Sequence, residues 1–339
     1  MTKYISILAL SAALTATGAA AQDKLTISVY SFAQDAYKEA LYDPFEEICG
    51  CELVIETGNS VERMAKIEAN AADPVIDMAV ISSHDALSLA RKGLLQSIDT
   101  SKLQSFDKLY PAAQNPIGDS MAVGYTFYAS SIVYRKDLVS IESWNDLLGE
   151  KLAGNVSLPN ITGTQGPLTL MMLNKAEGGD PGDFSATISE IGKHADDIVT
   201  FYSRSSELAQ LMNQEEVIAA PVGRFAWSRF KSSPLPFAWA DPKEGQAGGM
   251  NVMIMTANNG NEELAYKLMD YWLSTEVQTR IAEALIDSPA NMDVKVSDEV
   301  AENLTYGAEL INSLNILDPA VIIANRDAWV DQWNNEVIR

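Results

Sequence analysis

Segments typical of buried strands alternate with segments typical of helices along this chain, and this alternation constrains its fold more than any other feature. The apolar run Leu25–Tyr30 is followed by the helix-like segment Asp35–Ile48, and the run Leu53–Glu56 by the helix-like segment Ser60–Asn70. Alternation of this kind predicts an α/β fold in which helices cover both faces of a parallel sheet. A second set of the same kind begins near Ser130.

The length of the chain indicates two domains, because 339 residues are too many for one ordinary hydrophobic core. The second set of elements opens with short predicted strands at Ser131–Tyr134 and Val156–Leu158, and no low-complexity linker separates it from the first set. Two lobes without a single linker imply that the chain crosses between them more than once. This geometry leaves a cleft at the lobe boundary.

The first 21 residues have the pattern of a secretory signal peptide. Lys3 supplies a positive start, Ile5–Ala16 forms an apolar run, and Ala19–Ala21 provides small residues for cleavage. The apolar run is too short to span a membrane. There is no cysteine near the cleavage site, so we do not expect a lipid anchor. We therefore expect an exported, soluble protein, and the alanine-rich signal is typical of a bacterial periplasm.

Composition and missing motifs exclude several classes of function. Acidic residues outnumber basic residues by 46 to 24, and a net charge of −22 argues against a nucleic-acid partner. It fits a cationic ligand only weakly. Phosphate-binding glycine loops, nucleophile elbows and zinc-protease motifs do not occur. The two histidines, His84 and His194, have no ligand cluster beside them, so we predict neither a metal nor a cofactor.

Cys49 and Cys51 are the only cysteines of the chain. In an oxidising compartment a disulfide is the expected state, and Gly50 between them gives the backbone the freedom that such a tight ring needs. We expect a local structural link at a helix-to-strand turn. A redox role has no support, since the C-x-x-C spacing is absent.

The stretch Leu158–Gly179 predicts a strand, a polar turn and the start of a buried helix. Gly166-Pro167 is typical of a first helical turn, and Gly178-Gly179 of a helix end. Thr162, Thr164 and Gln165 stand at the helix start, where backbone N–H groups lack partners. These side chains either cap the helix or contact a ligand.

The order of segments along the chain resembles the extracellular solute-binding proteins of ABC importers, in particular the spermidine/putrescine-binding branch. The resemblance covers essentially the whole mature chain. It is carried by six segments in register: ISVYSFAQDAYKEALYDPFEE, VIDMAVISSHDALSLARKGLLQSID, GYTFYASSIVYRKDLV, SWNDLLGEKLAGNVSLPNITGTQGP, DPKEGQAGGMNVMIM and NEELAYKLMDYWLSTEVQTRIAEAL.

The resemblance implies a two-lobed periplasmic-binding-protein fold of type II, with two or more crossovers, a hinge and an interlobe cleft. We expect lobe 1 to comprise residues 22–127 and 252–305, and lobe 2 residues 128–251 and 306–339. The resemblance further implies no catalysis, a monomer, a small-molecule solute held between the lobes, and delivery of that solute to an ABC permease by hinge closure.

The resemblance also implies ligand contacts in the first lobe. An aromatic residue after the first strand packs against ligand methylenes in the polyamine-binding branch, and Phe32 occupies that place here. Asp35 falls where the family often has a tyrosine, and it either pairs with an ammonium group or caps the following helix. Ser82 and His84 fall at contact positions after DMAVI, although His84 is also compatible with a simple helix start. Asn59 lies in the polar loop after another predicted strand.

The chain departs from the polyamine-binding pattern where that branch carries acidic residues. Thr164 and Pro167 replace an acidic pair at the helix start, and Gly249 and Asn251 stand where the branch has a Trp and an Asp. Asp287 falls near a contact position and could restore one carboxylate. Since buried charges need partners, one or two acids suit a monocation or a zwitterion better than a polyamine.

An anionic ligand end would need its own partners in the second lobe. The start of the helix after Thr162 could accept it, and Arg224 could hold it at two points unless it extends along the surface or pairs with a structural acid. A true polyamine binder with a rearranged acid set and an exported enzyme on the same scaffold remain the alternatives. The predicted ligand contacts are Phe32, Asp35, Asn59, Ser82, His84, Thr162, Thr164, Gln165, Arg224, Asn251 and Asp287.

Overall fold

A computed structural model describes residues 23–58, 60–118 and 120–338. The predicted signal peptide and Asn59 lie outside the described residues. The strands are β1 (Lys24–Tyr30), β2 (Glu52–Gly58), β3 (Met78–Ser82), β4 (Leu95–Gln96), β5 (Val123–Arg135), β6 (Val156–Pro159), β7 (Ile198–Tyr202), β8 (Ala219–Gly223), β9 (Phe237–Trp239), β10 (Ala247–Thr256) and β11 (Asn315–Ile316).

Helices follow most of these strands, as the alternation predicts. They are α1 (Gln34–Tyr37), α2 (Asp43–Cys49), α3 (Ser60–Ala69), α4 (Ser83–Arg91), α5 (Pro111–Gln114), α6 (Gln165–Glu177), α7 (Ser185–Lys193), α8 (Ser205–Asn213), α9 (Trp227–Lys231), α10 (Glu262–Leu273), α11 (Thr275–Glu283), α12 (Asp298–Ala301), α13 (Ala308–Ser313) and α14 (Pro319–Glu336). A π-helical turn at Lys38–Tyr42 joins α1 to α2, so the predicted single helix Asp35–Ile48 is not uniform.

The strands form one mixed sheet in the order β2-β1-β3-β10-β5-β8-β6-β7. Strands β2, β1 and β3 are parallel at one end, and β8, β6 and β7 are parallel at the other. Between them β10 runs antiparallel to both β3 and β5, and β5 runs antiparallel to β8. The prediction of a purely parallel sheet is therefore wrong at its centre, where two long strands join the halves.

Strand β5 covers 13 residues, so the short strand expected at Ser131–Tyr134 is only its second half. Its first half pairs with β10, and its second half pairs with β8. Strand β10 likewise pairs with β5 through its first half and with β3 through its second, with a register shift between Asn251 and Val252. Both strands thus run from one half of the molecule into the other.

The buried apolar side chains divide into separate cores on either side of these crossing strands. One core combines residues from Leu25 to Phe127 with residues from Met250 to Ala290 and with Ile311. Two others draw on residues between Ile132 and Ala247, and one of these includes Trp329 and Trp333 of α14. The architecture is therefore a two-lobed α/β fold, with β5 and β10 crossing between the lobes.

Two local features bear on the predictions from sequence. Helix α6 begins at Gln165 and ends at Gly178 in the left-handed conformation, as the Gly and Pro signals indicate. Cys49 and Cys51 are joined by a disulfide in the structure, with Gly50 in the left-handed conformation at the end of α2. Among the described residues no helix is both long and apolar enough to cross a membrane.

Candidate functional site

The candidate site lies where β1, β3, β5 and β10 meet. Asn251 of β10 is in register with Ser82 of β3 on one side and with Thr126 of β5 on the other. The hydroxyl of Tyr30, the last residue of β1, donates to Asn251 Oδ1 at 3.3 Å. Two strand ends and the two crossing strands therefore bring their polar side chains to one place. The carboxyl ends of strands at such a junction are the usual position of a ligand site in α/β folds.

Asp287 supplies the carboxyl group of this site. The Tyr37 hydroxyl donates to Asp287 Oδ2, and burial raises the pKa of Asp287 to about 7, although hydrogen bonds from Tyr37 and Thr126 oppose the rise. Burial raises the pKa of Tyr125, and the neighbouring Asp287 carboxylate raises it further. The carboxyl group thus lies among tyrosines, with no basic partner in the part of the chain that the structure describes, and an ammonium group would be its natural counterion.

A polar network around Ser82 connects the two halves of the molecule. Ser82 Oγ donates to Asp85 Oδ2 at 2.7 Å and lies 3.2 Å from His84 Nε2. Arg326 of α14 reaches this network, since its Nη1 lies 3.8 Å from Asp85 Oδ1. The same guanidinium donates through Nη2 to the carbonyl oxygen of Thr162 at 3.0 Å. Arg326 therefore links the polar turn before α6 to the start of α4.

Two aromatic rings meet at the mouth of the cleft. Phe32 follows β1 and Phe225 follows β8, and their ring centroids are 6.3 Å apart. Phe32 also contacts the Tyr37 ring edge to face, with centroids 6.2 Å apart. Both phenylalanines are substantially exposed, at 40% and 49%. Large exposed rings on facing loops are suited to cover a ligand when the cleft closes.

Gln165 contributes from the second half of the molecule. It is buried at the first position of α6, where its Oε1 accepts a hydrogen bond from Ser130 Oγ at 2.5 Å. Gly223 leaves room for this arrangement, because a Cβ there would lie 2.3 Å from the Phe225 ring and 3.0 Å from Gln165 Nε2. Thr164 precedes Gln165 but makes no side-chain cap bond.

Arg224 does not lie where the prediction of a two-point contact with an anionic ligand end requires it. Its Nη2 donates to the backbone carbonyl of Glu302, and its Cζ lies 4.7 Å from the centre of the Trp239 ring. Burial lowers its pKa to about 10. Neither contact connects Arg224 to Ser82, Asn251 or Asp287. Asp35 is exposed in the first turn of α1.

The structure adds residues that the sequence did not indicate, namely Tyr30, Tyr37, Tyr42, Arg63, Asp85, Tyr125, Phe225 and Arg326. One signal for Arg63 was present: it stands four residues before the buried Ile67 on α3, so it occupies the inward face of that helix. Tyr30 ends a predicted strand, a position from which side chains commonly reach a ligand site. Nothing local indicates the pairing of Tyr37 with Asp287, which is 250 residues away.

Other concave regions of the described chain offer less converging chemistry. A pocket of about 260 Å³ is lined by Ile67, Asn70 and Leu94, and one of about 400 Å³ by Leu147, Gly149 and others. No three His, Cys, Asp or Glu side chains among the described residues are grouped so that they could hold a metal ion. The site at the crossing strands remains the place where charged, aromatic and hydrogen-bonding groups come together.

A two-lobed α/β fold with such a site between its halves defines the class of proteins that enclose a small solute. A model of the bacterial extracellular solute-binding protein family matches residues 40–308, and the chain belongs to this family.

Known proteins of the same kind resemble the chain over nearly its whole length. The spermidine/putrescine-binding periplasmic protein of Escherichia coli (strain K12) is 26% identical over 302 residues, which are 86% of each chain. A putative 2-aminoethylphosphonate-binding periplasmic protein of Salmonella typhi is 24% identical and covers 91% of this chain and 92% of its own. The solved structure of an ABC transporter from Clostridium perfringens ATCC 13124 has a TM-score of 0.82 and 29% identity, with 92% and 99% of the two chains covered.

Proposed function

We propose that this chain is the periplasmic substrate-binding component of an ABC importer and that it captures a small polar solute carrying one ammonium group, with a zwitterion as the preferred class. The ligand class is inferred from the surroundings of Asp287, whose carboxyl group lies among tyrosines with no basic partner among the described residues. An ammonium ligand would supply the missing charge and form charge-assisted hydrogen bonds.

The mechanism is closure of two lobes on the solute. We assign residues 22–127 and 252–305 to lobe 1 and residues 128–251 and 306–339 to lobe 2. The separate apolar cores support this division except at Met250 and Ile311, which pack in the core of lobe 1. Strands β5 and β10 would act as the hinge, because they continue from one core into the other. Arg326 with Asp85 and Phe32 with Phe225 would hold the closed state.

Charge distribution favours a zwitterion over a polyamine. A bound diamine needs carboxylates at both ends, since an unpaired buried ammonium is costly. Near the site, Asp85 is already engaged with Ser82 and Arg326, so Asp287 is the available acid. The relative from Salmonella typhi named as a putative 2-aminoethylphosphonate-binding protein is a precedent in this family for a solute with both charges.

We further propose that the chain does not transform its ligand. Ser82, His84 and Asp85 lie together, but the same atom, His84 Nε2, faces both Ser82 Oγ at 3.2 Å and Asp85 Oδ1 at 3.7 Å. A catalytic triad uses opposite ring nitrogens for the serine and the carboxylate. Ser82 instead accepts from the Asp85 backbone N–H and caps α4.

The remaining assignments follow from the same proposal. Residues 1–21 direct export, the mature protein acts in the periplasm as a monomer, and it meets an ABC permease transiently. It requires no metal, cofactor or nucleic acid. The disulfide Cys49–Cys51 forms there, and the ligand contacts are proposed to be Phe32, Asp35, Asn59, Ser82, His84, Thr162, Thr164, Gln165, Asn251 and Asp287.

A thermal-shift screen of the mature protein tests this function. The panel contains ω-amino acids, α-amino acids, aminophosphonates, diamines and triamines, and organic acids without an amine. A ligand that binds only the folded state raises the melting temperature by mass action. We expect the largest shift from a zwitterion. A large shift from spermidine or putrescine with none from zwitterions would contradict the ligand class, and turnover of the bound solute would contradict the binding role.

A further inference from the structure

The guanidinium of Arg63 is a buried cation that forms no salt bridge with any of the described acidic residues. Arg63 is 3% exposed in the first turns of α3. Its Nε donates to Ser28 Oγ at 2.9 Å, and its Nη2 donates to the carbonyl oxygens of Ser28, also at 2.9 Å, and Val80. The remaining nitrogen, Nη1, is buried and has no hydrogen-bond acceptor.

This arrangement leaves the guanidinium without a carboxylate of the described residues at hydrogen-bond distance. Burial removes the hydration of the guanidinium, and its present acceptors are neutral. Burial lowers the pKa of Arg63, and the more distant Asp85 carboxylate opposes this only in part. Other buried arginines need not be in this state: Arg135, which is 6% exposed, forms ion pairs with Asp137 at 2.9 Å and Glu215 at 2.7 Å. A carboxylate or phosphonate would satisfy both the charge and the unused N–H groups of Arg63.

Arg63 and Asp287 share tyrosine neighbours. Its Cζ lies 4.5 Å from the centre of the Tyr30 ring, and the Tyr30 hydroxyl donates to Asn251. Two further hydroxyls, those of Tyr42 and Tyr125, lie within electrostatic range of both charged groups, because Asp287 raises and Arg63 lowers the pKa of each. A basic and an acidic group thus flank one tyrosine-lined region.

We propose that Arg63 binds the anionic end of the ligand and thereby makes the site selective for zwitterions whose ammonium group meets Asp287. This inference rests on the proposed function and replaces Arg224 by Arg63 as the anion-binding residue. Nη1 is the atom that approaches the ligand, while Nε and Nη2 fix the guanidinium to Ser28 of β1 and Val80 of β3. A neutral or doubly cationic ligand leaves Nη1 without a partner.

Matched pairs of probes test this selectivity by calorimetric titration of the mature protein. The probes are 3-aminopropanoate, 4-aminobutanoate and 5-aminopentanoate, each compared with its own primary amide, together with 2-aminoethylphosphonate and putrescine. The acid and its amide differ in charge at one end only. For the best-fitting length we expect the acid or the phosphonate to bind ~10- to 100-fold more tightly than the amide, as a charge-assisted hydrogen bond allows.

Variants separate ligand contact from a structural role. Arg63→Gln should lower affinity for the acid to that for the amide and leave affinity for the amide unchanged, whereas Arg63→Lys should keep part of the preference. Arg135→Gln is the control: it removes a buried arginine elsewhere and should not alter the acid-to-amide ratio. If Arg63→Gln does not fold, the wild-type ratio and Arg63→Lys still decide.

Each outcome has a distinct meaning. Equal affinity of wild-type protein for acid and amide overturns the inference but leaves the proposed amine-binding function intact. An equal loss for acid and amide in Arg63→Gln or Arg63→Lys also overturns it, because it shows a structural role only. Absence of binding by every amine probe would instead contradict the proposed ligand class itself.

Discussion

Replacement of Asp287 by Asn should stabilise the unliganded protein while weakening its binding of amines. The Asp287 carboxyl group is largely removed from water, and burial raises its pKa from 3.8 to about 7. Above pH 7 the folded protein therefore holds an ionised carboxylate at a free-energy cost that the unfolded chain does not carry. Asn keeps an oxygen that accepts from the Tyr37 hydroxyl but has no charge to desolvate.

The size of the stabilisation follows from the pKa shift. Between the unfolded value of 3.8 and the folded value of about 7 the folded state binds a proton that the unfolded state has lost. Wild-type stability therefore falls as pH rises through this window, by ~1.4 kcal/mol per unit, or ~4 kcal/mol in total. Because solvent has partial access to Asp287, we expect Asp287→Asn to raise the free energy of unfolding at pH 8 by ~2–4 kcal/mol. For a chain of this length this corresponds to an increase in melting temperature of ~3–6 °C.

Thermal and denaturant unfolding of both proteins at pH 8 and pH 5 checks this reasoning. At pH 5 the folded wild-type carboxyl group is protonated, and the pH is only ~1.2 above the unfolded value of 3.8, so the advantage of Asp287→Asn should fall to roughly a third of its size at pH 8. Affinity for the best amine ligand at pH 8 should fall ~30-fold or more, because a charge-assisted contact is lost. Asp293→Asn, a change at an acid on an exposed pair with Lys108, is the matched control. A variant that is destabilised equally at both pH values would refute the buried-carboxylate account.

Two further predictions concern closure and packing. Arg326→Gln removes the link between Thr162 and Asp85, and it should weaken ligand affinity only ~2- to 5-fold because the ion pair is partly exposed. It should also increase the radius of gyration measured by small-angle X-ray scattering. The control Arg280→Gln should change neither quantity. Gly249→Ala would place a Cβ 2.2 Å from Tyr128 Cζ, so it should lower the free energy of unfolding measured by urea denaturation by ~1–3 kcal/mol. In the control Gly260→Ala the new Cβ meets nothing within 4 Å, and the free energy of unfolding should stay near that of the wild type.

Local patterns in the sequence were sufficient for most elements of the fold. The strand at Leu25–Tyr30 and the helix ends at Gly93 and Gly178 depend on apolar runs and left-handed glycines, which act within a few residues. The full length of β5 could not be read in this way. Its two halves pair with different partners, β10 and β8, which lie about one hundred residues further along the chain.

The site was harder to predict than the fold, because its decisive pairs are distant in sequence. Asp287 was identified through the family resemblance, but its tyrosine surroundings depend on Tyr37, 250 residues away. Arg224 and Arg63 look alike as isolated basic residues. The packing of α3 against β1 and β3 directs Arg63 to Ser28 and Val80, while Arg224 reaches the carbonyl of Glu302. Burial and pairing are tertiary properties, and no local pattern encodes them.

The central claim is that an ammonium group of the solute binds Asp287, and proton release measures this most directly. At pH 7 about half of the Asp287 carboxyl groups are protonated in the free protein, and a bound ammonium holds the group ionised. Titration of the best ligand in two buffers of different ionisation enthalpy should therefore show release of ~0.5 proton per ligand at pH 7, with none from Asp287→Asn. Tight binding without proton release by the wild-type protein would contradict the claim.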